Sequence, residues 1–254
     1  MSDRREQLLE ALNAFSDDRL ALLETQINAL ESRITVTHPE PSFVDGRFGQ
    51  IFGDVLMLHH AVSWEPFTKD KFEYALVRVA RMTGLDADKA EMGNPGYDIK
   101  IGGQLISLKT QANKAIKESH LHISKFMELG KGAWETENDV VNLRAQMLSH
   151  LDNYDRILSL RCLHRDRDEG SYRYELVEIP TDLLRSAEHG VIEMKHDSTQ
   201  TPKPAVCSVY DGEDLTVQLY FDGGTERKLQ IRKLSKAHCR VLGNWEFVLT
   251  GPQS

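Results

Sequence analysis

"NPGYDIKIGGQLISLKTQ", residues 94–111, places Asp98 behind a Pro-Gly turn and Lys109 in a run otherwise apolar at Leu105, Ile106 and Leu108. Residues 98–109 read as a hairpin of two short strands around Gly102-Gly103. A lysine on the buried side of a strand is costly unless it is paired. Either strand alternation turns Lys109 to solvent, or it sits in a site that uses its charge. Across the hairpin Asp98 and Lys109 come close. A carboxylate and an ammonium side by side at a sheet edge can hold a divalent metal and stabilise charge on an attacked phosphate. Mg2+ suits such a place, because it takes carboxylate, carbonyl and water oxygens.

The surrounding chain is of ordinary soluble composition. Its 254 residues are 40% hydrophobic and 28% charged, enough for one large domain or two small ones. The polar start "MSDRREQLLEAL" carries no apolar signal-peptide core, and no run approaches a transmembrane length, so a cytoplasmic protein with no membrane partner is expected. Cys162, Cys207 and Cys239 are far apart and odd in number, without disulfide or zinc spacing, which suits a reducing compartment. The net charge of −8 argues against a uniformly basic surface. The charge is segregated, however: −4 over residues 1–31, +4 over 100–131 and +5 over 226–240. Local sign matters more than the sum for a nucleic-acid partner.

Residues 3–14 and 17–34 show helical spacing of leucine and isoleucine, ending at Ile34, with Ser16 as an N-cap between them. "THPEPSF" (37–43) reads as a loop. Residues 67–85 form a helix ending at Gly84, with Phe72, Leu76, Val79 and Met82 on one stripe. Residues 120–124 alternate as a strand, 138–151 look helical, 156–164 and 171–179 look like paired strands, and 181–188 a short helix. From about residue 190 short alternating runs between Pro202, Pro204, "DGED" and "DGG" indicate an antiparallel β-rich end. The expected organisation is an N-terminal helical extension over 1–44 and an α/β domain over 45–254.

Pro95-Gly96-Tyr97-Asp98, ten intervening residues and Lys109 match the outline of the PD-(D/E)XK nuclease signature, with the proline displaced and Ser107 where the second acid belongs. Longer segments carry a more specific likeness. "NPGYDI", "SLKTQ", "HISKFMELGKGAW", "HLDNYDRILSLR", "YELVEIP", "TPKP" and "LYFDGGTERKLQI", in this order over roughly residues 45–250, resemble the SmaI-like type II restriction endonucleases. "FGD" (52–54) and "FTKDKFEYA" (67–75) extend the similarity. The resemblance implies a restriction-endonuclease-like mixed β-sheet flanked by helices, and Mg2+-dependent hydrolysis of double-stranded DNA at CCCGGG, cut at its centre to blunt ends. It also implies a homodimer on the palindrome, and a cognate methyltransferase encoded separately. Asp98 and Lys109 would be catalytic, with Glu73 on the preceding helix as the further acid. Asp98, Glu73 and the main-chain carbonyl of Leu108 would ligate the metal. Gln111, two residues beyond Lys109 on the same strand face, is placed beside that site.

"FDGGTERKLQIRKL" puts Lys228, Gln230 and Arg232 on one strand face. Arg and Lys read guanine N7 and O6 in the major groove, so Arg227, Lys228 and Gln230 are candidates for DNA contact, with a charged strand edge as the alternative. Lys125, Lys131 and Lys203 are candidates for phosphates. His59-His60 and His120-x-His122 lack a third metal ligand at suitable spacing, and Trp64, Trp134 and Trp245 read as core. Two other functions stay open on the residues alone: a repair or recombination nuclease of the same fold, and a DNA-binding protein without catalysis, given Ser107.

Overall fold

A computed structural model describes residues 2–91, 93, 94, 96–113 and 116–249; Pro95 of the quoted turn and Lys114 lie outside them. Helices α1 (Ser2–Asn13) and α2 (Asp17–Glu31) lead into strand β1 (Ile34–Thr37). Then come α3 (Gly46–His60), α4 (Lys69–Met82), β2 (Ala87–Lys89), β3 (Ile99–Ile101), β4 (Gln104–Gln111) and β5 (His120–Glu128). They are followed by α5 (Glu137–His150), β6 (Arg156–Asp166), β7 (Ser171–Ile179) and α6 (Thr181–Arg185). The chain closes with β8 (Val191–Met194), β9 (Ala205–Asp211), β10 (Asp214–Asp222), β11 (Lys228–Ser235) and β12 (Arg240–Val248). None of the described helices is long and apolar enough to cross a membrane.

The strands form two sheets, giving the mixed α/β architecture that the resemblance implies. The first has the order β1-β12-β7-β6-β4-β3-β2, with β4 and β6 parallel and its other pairs antiparallel. The second, β5-β11-β10-β9-β8, is antiparallel throughout. The β-rich end therefore divides: β8 to β11 build the second sheet, while β12 returns to the first between β1 and β7.

Strand parity explains where the cores lie. Ile106 and Leu108 of β4, with Leu158 and Leu160 of β6, join Phe48, Phe52, Phe72 and Leu76 of α3 and α4 in one core. The opposite face of the first sheet gives Ile157, Val177 and Ile179 to a second core with α5, α6 and the second sheet. Lys109 has the parity of that second face. At the hairpin tip Gly102 and Gly103 have φ of +55° and +87°, the left-handed region a two-residue turn needs, and join Ile101 to its partner Gln104.

Two local expectations change and one holds. Ile34 is the first residue of β1, not the end of a helix; Ser32 takes extended backbone at the α2 terminus, and the β-branched run Ile-Thr-Val-Thr pairs with β12. Met82 leaves the α4 stripe and is exposed. Trp134 and Trp245 are buried, and Trp64 packs on the first core through Tyr172, as core residues should.

His60, at the end of α3, is a buried histidine rather than a ligand. Its ring stacks on Tyr172 at 3.8 Å. Nδ1 donates to the Ser63 carbonyl at 2.9 Å, and Nε2 accepts from the Tyr174 hydroxyl at 2.8 Å, the tautomer that satisfies both partners. Burial, followed by the neighbouring His59, lowers its pKa to about 3. The folded pKa thus lies below the unfolded value of about 6.5. The unfolded chain binds the extra proton between these values, so stability falls as pH drops through that window, by up to about 1.4 kcal/mol per pH unit from this residue. Urea midpoints at pH 7 and pH 5 should differ less in His60→Gln than in the parent chain. An unchanged difference would assign the acid sensitivity to other groups.

Candidate active site

Lys69, Asp98, Ser107, Lys109, Phe126 and His150 line a cleft of about 680 Å3 between β4 of the first sheet and β5 of the second. Asp98 precedes β3, and its backbone N–H donates to the Ile106 carbonyl at 2.9 Å. Its Oδ2 accepts from the Leu108 N–H at 2.5 Å and faces the Ser107 hydroxyl at 3.4 Å. Lys109 Nζ in turn donates to Ser107 Oγ at 3.1 Å. Ser107, at the position of the missing acid, therefore links Asp98 to Lys109. Within a strand the N–H and carbonyl of one residue point the same way, so the Leu108 carbonyl points to the same edge of β4 as its N–H, beyond the last β3–β4 pair.

Lys109 is only 9% exposed, and its ammonium lies 5.3 Å from the centroid of Phe126 on β5. Burial lowers its pKa to about 8, against the opposing pull of Asp98. Most of it remains protonated at pH 7. Its charge thus faces the cleft and not the apolar core that its neighbours Ile106 and Leu108 fill.

Glu73 is not on the exposed face of α4, being 6% exposed. Its Oε2 pairs with Lys89 at 2.8 Å, and its Oε1 lies 3.8 Å from Lys69. Lys69 also donates to Asp98 Oδ1 at 2.7 Å. One ammonium therefore bridges the two carboxylates. Gln111 is held elsewhere, accepting from Arg161 Nε at 3.1 Å.

Lys69 and His150 also line the cleft, and neither is among the residues expected there from the sequence. Lys69 carries one legible signal: a cation opening a helix, where the dipole favours anions. His150 ends α5 beside Phe126 and Tyr154, and burial followed by the charge of Lys109 lowers its pKa. Nothing in the sequence distinguishes it from a last-turn histidine on a helix surface.

Of the candidates for DNA contact, Lys125 lines the cleft from β5, and Lys228 and Gln230 lie on β11, the strand beside β5. Lys125 pairs with Glu128 at 2.8 Å and Glu226 at 2.6 Å, and Lys228 pairs with Glu226 at 3.1 Å. Gln230 is buried, donating to Asp222 at 2.8 Å and accepting from Arg232 at 3.0 Å. Arg227 donates to the carbonyls of Lys131 and Gly132, and the ammonium of Lys203 to that of Ser198. Arg227, Lys131, Thr201 and Gly224 line a further cavity of about 580 Å3. Among the described residues no cluster of three or more His, Cys, Asp or Glu could hold a metal.

A family model described as "Type II site-specific deoxyribonuclease" (SmaI) matches residues 10–247. The chain is 44% identical over 207 residues, 81% of each sequence, to the type II restriction enzyme SmaI of Serratia marcescens. It belongs to the SmaI family of type II site-specific deoxyribonucleases. The protein is thus a restriction endonuclease, a hydrolase that acts on DNA. A solved restriction endonuclease in complex with substrate DNA covers 89% of this chain and 81% of its own, at 12% identity and a TM-score of 0.32, a likeness too slight to bear on the site. Family membership closes the two readings that the residues had left open beside a restriction enzyme.

Proposed function

We propose that the enzyme hydrolyses double-stranded DNA at CCCGGG with Mg2+, cutting the centre of the palindrome to blunt ends, through Asp98, Glu73 and Lys109. The observation that carries this reading is the place of Asp98, which lines the cleft with the buried Lys109 and the adjoining pocket with Glu73, and whose carboxylate Lys69 joins to that of Glu73. The donor set fits the ion. Lys69 already bridges the two acids as a stand-in cation, and the Leu108 carbonyl adds an oxygen on the same side. Mg2+ commonly takes one or two carboxylates and completes its shell with water and substrate phosphate, so a third acid is not required. Bound there, it would supply Lewis-acid stabilisation of the phosphate and a nucleophilic water.

The chain's own groups do the rest. The Leu108 N–H and the Ser107 hydroxyl fix Asp98 Oδ2, which leaves Oδ1 toward the cleft. The Lys109 ammonium, oriented by Ser107 and Phe126, offers a charge to the pentavalent phosphate in a poorly hydrated place, where such a contact is strong. Lys125, Lys203 and Lys228 would hold backbone phosphates. The surface ion pairs of Lys125 and Lys228 are weak, typically about 0–1 kcal/mol, so phosphates can replace their acids. Arg227 and Gln230 are the proposed base-reading side, near the loop at Lys131 and Gly132.

In this reading residues 1–44 form an arm tied to the catalytic and recognition domain, residues 45–254, by the pairing of β1 with β12. A palindrome presents one edge pattern twice, so a homodimer with each protomer on a half-site is the simplest assembly. The protein would work in the cytoplasm beside a separately encoded methyltransferase. A plasmid bearing a single CCCGGG should be linearised with blunt ends in Mg2+, and sedimentation should find two chains per duplex. Cutting at another sequence would overturn the specificity, and one chain per duplex the dimer.

Arg227→Ala should weaken binding to the cognate duplex by about 1–3 kcal/mol and to random DNA far less, if it reads a guanine edge. Equal losses on both duplexes would make it a phosphate contact.

A further inference from the structure

Lys69 opens α4, where the aligned peptide dipoles disfavour a positive charge. Its ammonium is held there by the two acids, at 2.7 Å from Asp98 Oδ1 and 3.8 Å from Glu73 Oε1. The other oxygen of each acid is already engaged: Asp98 Oδ2 by the Leu108 N–H and Ser107, and Glu73 Oε2 by Lys89. The two oxygens that meet across the gap are those taken by Lys69. Lys89 is held separately, its ammonium 4.0 Å from the centroid of the Tyr74 ring. Lys69 has no comparable second anchor: its side chain is 43% exposed and faces the open cleft.

We infer that Lys69 is an exchangeable counter-cation: in the DNA-free enzyme its ammonium holds the divalent-cation position, and metal entry displaces it. The inference rests on the reading of Asp98 and Glu73 as metal ligands. Two physical points support it. Without a cation, two carboxylates facing each other across one gap repel, and Lys69 removes that repulsion in a protein waiting for substrate. With Lys69 and Lys89 paired and Lys109 nearby, two carboxylates face three ammoniums, a balance of +1. A divalent ion entering this set meets net repulsion as well as an occupied gap. The long, flexible lysine stem lets the ammonium swing into the cleft, where a DNA phosphate would be its next partner. Metal and DNA would then each strengthen the binding of the other by the same factor.

The test needs neither DNA nor turnover. Mn2+ is titrated into the full-length, metal-stripped chain, and the free ion is followed by electron paramagnetic resonance. Lys69→Met and Lys69→Gln should both bind Mn2+ about tenfold or more tightly than the parent, since each frees the gap and removes a charge beside it. Lys69→Arg keeps the charge and should stay near the parent value. Thermal melting checks that the variants are folded, and the two neutral replacements guard against failure of either one. Equal affinity in the parent and both neutral variants, or no uptake in any of them, would overturn the inference. Adding Asp98→Asn to Lys69→Met separates the two claims. Loss of the tightened site supports both, whereas a tightened site that survives places the metal elsewhere and overturns the ligand reading with the inference.

Discussion

Replacing Lys109 by methionine is expected to abolish cleavage while making the metal-free protein more stable at pH 7. The first effect follows from the role proposed for it in the cleft, where its charge would meet the developing negative charge of the transition state. Removing such a stabiliser typically lowers turnover by about two to three decades, roughly 3–4 kcal/mol. Asp98→Asn should do the same if, as proposed, Asp98 anchors the metal. The second effect follows from burial, which lowers the ammonium pKa to about 8. The unfolded lysine titrates near 10.5, so the unfolded chain binds more protons between about pH 8 and 10.5, and stability rises with pH through that window. Below pH 8 the folded chain carries the full cost of the buried charge. Methionine, of similar length, removes that cost, and about 1–3 kcal/mol should remain after the lost bond to Ser107 is subtracted. Urea unfolding in EDTA at pH 7 and pH 9.5, beside a plasmid cleavage assay, reads both effects. A variant that cleaves near the parent rate would remove Lys109 from the mechanism. One that is less stable at pH 7 would show that the buried ammonium is a net structural support.

The opening stretch was legible because its signals are local. Gly102-Gly103 marks a turn, period-two alternation sets parity, and the two together bring Asp98 to the Ser107–Lys109 segment. The strands at 156–164 and 171–179 were readable for the same reason. Helix α3 was not. Glycines at 46, 49 and 53 read as weak helix formers, yet two of them serve packing: a Cβ on Gly53 would lie 2.4 Å from the Ile34 side chain, and one on Gly49 2.1 Å from His38. The presence of two sheets was also beyond local reading, because β12 pairs with β1 and β7 at sequence separations no periodicity reports. In the site, Glu73 could be placed on a helix ahead of the hairpin, but its closure by Lys69 and Lys89 depends on how α4 lies over β2 and β3. Gln111 shows the limit of parity. It has the parity of Lys109, but the fully buried Arg161 on the neighbouring strand takes its side chain.

That arginine should give the largest stability loss of any single replacement considered. Arg161 on β6 is fully buried, and Nη1 meets Glu175 Oε1 of β7 at 2.6 Å. Its remaining donors reach the carbonyls of Lys117 at 2.8 Å, Glu118 at 3.3 Å and His120 at 2.9 Å, besides Gln111. Those carbonyls belong to the segment that carries the chain from β4 of the first sheet to β5 of the second. One guanidinium therefore fixes the crossing between sheets and, with it, the distance between Lys109 on one wall of the cleft and Phe126 on the other. Arg161→Leu leaves Glu175 buried with Lys236 alone, at 2.8 Å, and strips three carbonyls of a donor. Breaking a buried pair from one side costs about 3–5 kcal/mol, because a charge is left behind. The double variant Arg161→Leu, Glu175→Leu removes that charge and should recover part of the loss, leaving the cost of the orphaned carbonyls. Urea unfolding of the parent, both single variants and the double variant completes the cycle. A loss below about 1 kcal/mol in Arg161→Leu would mean that water or Lys236 takes over the network. A double variant no better than the single would place the cost in the carbonyls of the crossing, and then cleavage should fall with stability as the cleft walls part.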